Sequence, residues 1–397
     1  MDTLFSKSAR KIHSVSLTFK RYLFDRLHMR NRLTFIKGAR GVGKTTLLLQ
    51  YAKERLPGGP KTLYIALDDL YFLENRLYDL ADTFYKQGGK YLLLDEVHKY
   101  PGWSRELKLI YDDMPGLKIL ATSSSLLEIH KAESDLSRRS ISFTLKEMSL
   151  REFIVFRTGQ YYPSYTLEEI LQQHQTIALE LLEYFKPLAY MHDFVRWGAY
   201  PFFMEDIESY GDKLVQIVNL VLESDLPAVE RIDFVHIAKL KKLLAIIAES
   251  APFTPNITKL SERTGMSRNA LVKALYLLEK ARLLISLRKA RKGISRLAKP
   301  DKIFLNNPNL AFALSVHPPQ TGTIRETFFA NQLEGMHKLA LPDKGDFLVD
   351  EKFLFEIGGK NKKNRPLVFG PEAYIVRDDL ENGSGKIIPL WLFGFLY

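Results

Sequence analysis

The sequence predicts an α/β protein: a parallel sheet flanked by helices, then a helical lid, a winged helix and a small α/β closing segment. Three observations predict the sheet. From Arg32 to about Phe153, short β-prone runs alternate with helical stretches, the pattern of strand–helix–strand crossovers. The stretch Gly38-Ala-Arg-Gly-Val-Gly43-Lys44-Thr45 fits the phosphate-binding pattern G-x-x-x-x-G-K-[ST] at every fixed position. A later apolar run, Tyr91-Leu-Leu-Leu, ends in the acids Asp95-Glu96.

Residues 1–30 mix apolar and basic positions at helical spacing and read as a lead-in helix. Strands are expected at 33–36, 62–66, 91–94, 119–121 and 142–145. Helical periodicity without strand signals runs through about 156–250, and short strands punctuated by Gly and Pro return after about 315. These shifts divide the chain into a core (1–155), a helical lid (156–250), a winged helix (251–312) and a C-terminal domain (313–397). A length of 397 residues agrees with several domains rather than one core. No apolar run approaches the ~20 residues of a membrane-spanning helix. No export-signal core follows the basic start, so a cytoplasmic location is expected. With no cysteine, thiol catalysis, disulfides and cysteine-bound zinc are excluded. The formal net charge of +11 favours a polyanionic partner.

The glycine-containing turn lies between a short apolar run and the helical run Thr46-Leu-Leu-Leu-Gln-Tyr-Ala-Lys53. Chemistry requires that order. Glycines let backbone N–H groups turn inward around phosphates, and the helix begins with its positive dipole end toward the anion. Residues Gly38, Ala39, Arg40, Gly41, Val42, Gly43, Lys44, Thr45 and Thr46 are therefore the expected nucleotide-binding set. Lys44 reaches the β- and γ-phosphates, and the Thr45 hydroxyl takes a position on Mg²⁺. At the end of the 91–94 strand, Asp95 holds the metal and Glu96 activates the attacking water.

The next strand ends in Thr122-Ser123-Ser124-Ser125. Ser123 or Ser124 senses the γ-phosphate there, although such residues also serve as helix N-caps. Arg139, after Asp135-Leu-Ser-Arg138, is a candidate arginine finger, acting in cis or across a subunit interface.

These motifs, with Met148-Ser-Leu-Arg-Glu152-Phe153, resemble prokaryotic AAA-type ATPases of the AAA_14 kind, akin to archaeal and STAND-like ATPases. The resemblance continues through Trp197-Gly-Ala-Tyr-Pro201, Lys302-Ile-Phe-Leu-Asn-Asn307 and Phe355-Glu-Ile-Gly-Gly-Lys360. It implies a P-loop sheet of the AAA (ASCE) type and ATP as the nucleotide. Arg138 departs from it, standing where the family more usually has glycine.

Residues 257–280 read as helix, turn, helix, with Gly265 ending the first and Ser267 capping the second. Strands at 281–288 and 302–305 would complete a winged helix. Residues 257–302 carry 13 Lys and Arg against three acids. A helix–turn–helix so biased reads as a surface for double-stranded DNA, with Arg268, Asn269 and Lys273 in the groove. Arg288, Lys289, Arg291 and Lys292 would then lie on phosphates. The same module also serves as interdomain packing, or meets an acidic partner protein or a second copy.

The C-terminal segment resembles the PD-(D/E)XK nuclease fold, in which two carboxylates hold a divalent metal beside a lysine. Asp346 and Glu356 match the acids and Glu326 the helical one, but Gly358 stands where the lysine belongs and Lys360 lies two residues further on. Three readings follow: a Mg²⁺-dependent ATPase acting on DNA or a partner protein, an ATP-gated DNA-binding switch with negligible turnover, and a metal-dependent nuclease.

Overall fold

All five expected runs of the first part form strands of one sheet. In the computed structural model they are β1 (Leu33–Lys37), β2 (Thr62–Ala66), β3 (Tyr91–Asp95), β4 (Lys118–Ser123) and β5 (Ser140–Thr144). The structure describes residues 2–123, 136, 138–229, 233–250, 252–289, 299–359 and 372–397, without the side chains of 228, 229 and 234. The last strand starts two residues and ends one residue earlier than expected. Leu145 lies just past β5, where its N–H still donates to the Lys37 carbonyl (2.7 Å).

The chain divides into two compact units, Met1–Glu147 and Met148–Tyr397. In the first, the strand order is β2-β3-β4-β1-β5 and every pairing is parallel. Parallel strands covered on both faces read as unbroken apolar runs. That is why Leu92, Leu93, Leu94, Ile119, Leu120 and Ala121 are all buried. Helices α1 (Asp2–Ser14), α2 (Leu23–Arg26), α3 (Lys44–Arg55), α4 (Leu77–Lys86) and α5 (Trp103–Asp113) complete this unit. Helix α1 runs along the edge strand β2, where the Ser8 hydroxyl accepts from the Tyr64 N–H (2.9 Å). A sheet edge with unpaired amides is thereby partly covered.

The second unit opens with α6 (Leu150–Thr158) on a capping box: Ser149 accepts from the Glu152 amide and the Glu152 carboxylate accepts from the Ser149 amide. Helices α7 (Leu167–Leu182), α8 (Pro187–Asp193), α9 (Tyr210–Leu220), α10 (Leu226–Val229) and α11 (Phe234–Ser250) follow. Then come α12 (Ile257–Thr264), α13 (Arg268–Lys280) and an antiparallel ribbon of β6 (Leu284–Leu287) with β7 (Lys302–Leu305). Gly265 ends α12 at a φ of +66°, and Ser267 caps α13 by accepting from the Ala270 amide (3.3 Å). Two buried asparagines serve as internal struts. Fully buried Asn309, on α14 (Pro308–Leu314), donates to the carbonyls of Phe194 and Val195 and accepts from the Ala199 amide. Asn307 donates to the Tyr200 hydroxyl (3.0 Å).

Helix α15 (Thr321–Leu333) packs on a five-stranded mixed sheet of β8 (Leu339–Ala340), β9 (Phe347–Val349), β10 (Phe353–Gly358), β11 (Ala373–Arg377) and β12 (Ile387–Pro389). Its core is aromatic: the Phe329 ring lies 5.0, 5.1 and 4.8 Å from those of Phe347, Phe355 and Phe393. Among the described residues, no helix is long and apolar enough to cross a membrane.

Candidate functional site

In an open parallel sheet, ligands bind outside the carboxyl ends of the strands. Register brings the chemistry-bearing residues of this chain to that edge. Asp95 pairs with Ala66, and Ile36 and Lys37 pair with Thr122 and Ser123. Four strands thus end within a residue of one another, and the turn from β1 to α3 lies directly above them.

That turn needs its glycines. Gly41 and Gly43 have φ of +83° and +93°, a region that L side chains rarely enter. Gly43 caps α3, so the first amides of the helix have no partner within it and face the turn. Lys44 is buried, its Nζ donating to the carbonyls of Gly38 (3.1 Å) and Ala39 (2.8 Å). The turn is braced from the lead-in segment. Buried Arg21 donates to the Val42 carbonyl, and to that of Lys146 at 2.8 Å. Beside the loop, burial lowers Lys37 to a pKa of about 8.

Asp95 is the focus of the site. Its Oδ2 accepts from Thr45 Oγ1 (2.8 Å) and from the Tyr64 hydroxyl (2.9 Å), and its Oδ1 accepts from Thr122. Tyr64 and Asp95 share a face of the sheet because Tyr64 lies two residues before Ala66, the partner of Asp95. Burial, reinforced by the Asp95 charge, holds the Tyr64 phenol well above its ordinary pKa, so it stays a donor. Glu96 follows in left-handed geometry (φ +54°, ψ +44°), strained for a side chain of its size. Its amide donates to Thr122 Oγ1 (3.1 Å), and its carboxylate lies 3.5 Å from His98 Nε2 and 4.0 Å from Arg40. Ser123, fully buried, contacts His98 Nδ1 at 3.2 Å.

These residues suit a nucleotide with a hard divalent cation. A hydroxyl and a carboxylate already converge, the oxygen donor set that Mg²⁺ takes. A buried lysine and the start of a helix stand beside them, where phosphates would be neutralised.

Of the expected set, the structure brings together the 38–46 loop, Asp95, Glu96 and Ser123. Thr46 is exposed on the first turn of α3, and Ser124 lies outside the described residues. Arg139 is not brought to the site. It precedes Ser140, which pairs with Leu33 at the far end of β1, so five residues of strand, roughly 17 Å, separate it from the loop. Its guanidinium is held by Asp112 on α5 at 3.0 and 3.1 Å. The expected contact in cis is therefore corrected. Tyr64, Thr122, His98 and Arg21 were missed as site residues. Alternation along the 62–66 strand was the one signal for Tyr64; nothing local marks Arg21.

In the second unit, Arg263, Arg268, Asn269 and Lys273 are exposed on α12 and α13. Two of the expected phosphate contacts are engaged internally instead: Arg288 pairs with Glu279 (3.2 Å) and Lys289 with Asp343 (2.9 Å). Arg291, Lys292 and Lys360 lie outside the described residues. Of the nuclease-like acids, Asp346 and Glu356 stand opposite one another at the end of the β9–β10 ladder, because Phe347 pairs with Phe355. Glu326 is paired with Lys302 (2.6 Å), and Asp346 accepts from the Ile357 amide (2.7 Å). Beyond β10, the Arg325 guanidinium packs on Gly359 and pairs with Asp378. No group of three His, Asp or Glu able to hold a metal exists among the described residues.

Comparison with known proteins agrees with the first unit. Residues 30–154 match the AAA_14 family, described as an AAA domain, which supports an AAA-type ATPase core. Residues 189–321 match a domain of unknown function, DUF8612. An uncharacterized protein of Methanocaldococcus jannaschii is 27% identical over 92% of this chain and 85% of its own length. Among solved structures, a Walker-type ATPase of Pyrococcus abyssi is similar over 78% of this chain and 94% of its own, with 14% identity and a TM-score of 0.40. AMPPCP-bound DnaA from Aquifex aeolicus is similar over 65% and 84%, with 18% identity and a TM-score of 0.27.

Proposed function

We propose that the first unit binds and hydrolyses ATP with Mg²⁺, and that hydrolysis drives a conformational change acting on DNA or a partner protein through the second. The observation that carries the hydrolytic part is the convergence of Thr45, Tyr64 and Thr122 on Asp95, between the Lys44 loop and Glu96. Thr45 and Asp95 would hold the metal, while Lys44 and the amides of residues 38–46 would bind phosphate oxygens. Bound magnesium-ATP supplies an electrophilic γ-phosphorus with its charge partly neutralised. Glu96 takes the proton of the attacking water on its carboxylate, and Ser123 orients the reacting groups.

A second reading has its own support. The Glu96 carboxylate is engaged by His98 and Arg40, as suits a nucleotide-gated switch with slow turnover. For the second unit, the exposed cations of α12 and α13 support double-stranded DNA as the partner, in a winged helix formed by α12, α13 and the β6–β7 ribbon. The C-terminal unit is read as a binding fold without nuclease chemistry. An arginine finger at Arg139 would have to be supplied to a second copy.

One experiment tests these readings: ATP turnover by the full chain and by Glu96→Gln, with and without duplex DNA. Turnover that falls by about 10²-fold or more in Glu96→Gln supports Glu96 as base; an unchanged rate rejects it. Stimulation by DNA supports a DNA-directed ATPase. DNA affinity that depends on ATP, with negligible turnover, supports the switch.

A further inference from the structure

An imidazole stands between the base and the sensor of the proposed site. His98 follows Glu96 by two residues, its side chain is only 3% exposed, and its two ring nitrogens face different partners. Nδ1 lies 3.2 Å from Ser123 Oγ at the end of β4, and Nε2 lies 3.5 Å from Glu96 Oε2. Glu96 itself cannot drift far, because its strained backbone is tied to Thr122 through its amide.

We propose that His98 is a positioning residue that couples Ser123 to Glu96, an inference that rests on reading Glu96 as the base. The ring tautomer provides the coupling. In neutral imidazole one nitrogen donates and the other accepts, so the partner at one nitrogen decides what the other offers. When the Ser123 hydroxyl donates to Nδ1, the ring hydrogen sits on Nε2 and is directed at the Glu96 carboxylate. The carboxylate oxygen, 3.5 Å from that nitrogen, is then held by the partial positive charge of the N–H. When Ser123 turns its hydroxyl elsewhere, Nδ1 loses that partner, the ring is no longer fixed, and Glu96 is released toward water. The ring gains and loses no net proton: a change of tautomer breaks the Nε2–H bond and forms an Nδ1–H bond.

Two measurements test it. The first needs no nucleotide: histidine ¹⁵N shifts of the full chain, with His98 assigned through His98→Gln. Wild type is expected to show the Nε2–H tautomer at His98 and Ser123→Ala to show a different tautomer or averaged shifts. The same His98 signals in both proteins would overturn the coupling. The second is a double-mutant cycle on kcat. His98→Gln and Ser123→Ala are each expected to change kcat by about 10-fold or more, with KM shifted far less. Because they act through one path, the double variant should resemble a single one rather than the product of both. Independent, multiplying effects would reject the proposal. His98→Asn, which keeps a polar group near Ser123 but falls short of Glu96, guards against a packing defect. It should melt like wild type and still alter kcat; wild-type kcat in a folded His98→Asn would also reject it. Should Glu96→Gln keep full turnover, the base reading fails instead, and the tautomer result stands apart from it.

Discussion

Replacing Gly38 with alanine attacks the loop through a clash that the structure locates. A Cβ at this position would lie 2.3 Å from the Leu145 carbonyl oxygen, nearly 1 Å inside ordinary contact, and 3.1 Å from a Val42 methyl. Neither neighbour yields easily. Leu145 is fully buried, and its N–H donates to the carbonyl of Lys37, the residue next to Gly38. Val42 is also fully buried, with its carbonyl held by Arg21. Overpacking of this kind costs about 1–3 kcal/mol, and loss of the Leu145–Lys37 hydrogen bond adds about 1 kcal/mol. The first unit should therefore be destabilised by roughly 2–4 kcal/mol, a melting point lower by roughly 5–15 °C. Because Gly38 also offers its carbonyl to Lys44, binding of a fluorescent ATP analogue should weaken by at least about tenfold, equivalent to 1.4 kcal/mol. The control is Gly58→Ala, where nothing lies within 4 Å of the added carbon; it should change stability by less than about 0.5 kcal/mol. Wild-type melting and wild-type nucleotide affinity in Gly38→Ala would refute the steric account of this loop.

Tyr64→Phe removes one of the donors to Asp95 and should lower stability by about 1–2 kcal/mol, with a raised Mg²⁺ requirement for nucleotide binding; an unchanged Mg²⁺ titration would remove Tyr64 from the metal site. Asn309→Ala strands several buried backbone groups and should cost about 2–4 kcal/mol in urea unfolding of the second unit. His174 is buried on α7, and burial lowers its pKa. The unfolded chain therefore takes up this proton first, so the contribution is unfavourable as pH falls below about 6.5. Consequently His174→Leu should lose less melting temperature than wild type between pH 7.5 and 5.5, and equal losses would contradict the burial argument. For the DNA reading, Arg268→Glu with Lys273→Glu should weaken duplex binding and flatten its salt dependence by about two units of slope; an unaltered slope would move the interface elsewhere.

Much of the nucleotide site was legible because its rules are local. A loop that must bend through positive φ at Gly41 and Gly43 and then start a helix at Lys44 leaves a fixed spacing of residue types. An Asp at the end of a buried parallel strand likewise follows an unbroken apolar run. Elements of the second unit were visible for the same reason, since Gly265 and Ser267 mark a helix end and a helix start on their own.

Sequence alone thus determined that the first unit is a parallel α/β sheet and which loop and strand-end residues stand at its carboxyl edge, because backbone geometry and strand alternation act over a few residues. Only tertiary structure decided the rest. Strand order set Thr122 and Tyr64 on either side of Asp95, and it put Arg139 at the opposite end of β5. Ion pairing with Asp343 and Lys302, distant in sequence, engaged Lys289 and Glu326, and close approach put Arg21 under the loop. The physical reason is common to all of these. Which partner a charged or hydroxyl group meets depends on chain segments distant in sequence, and no local pattern records that choice.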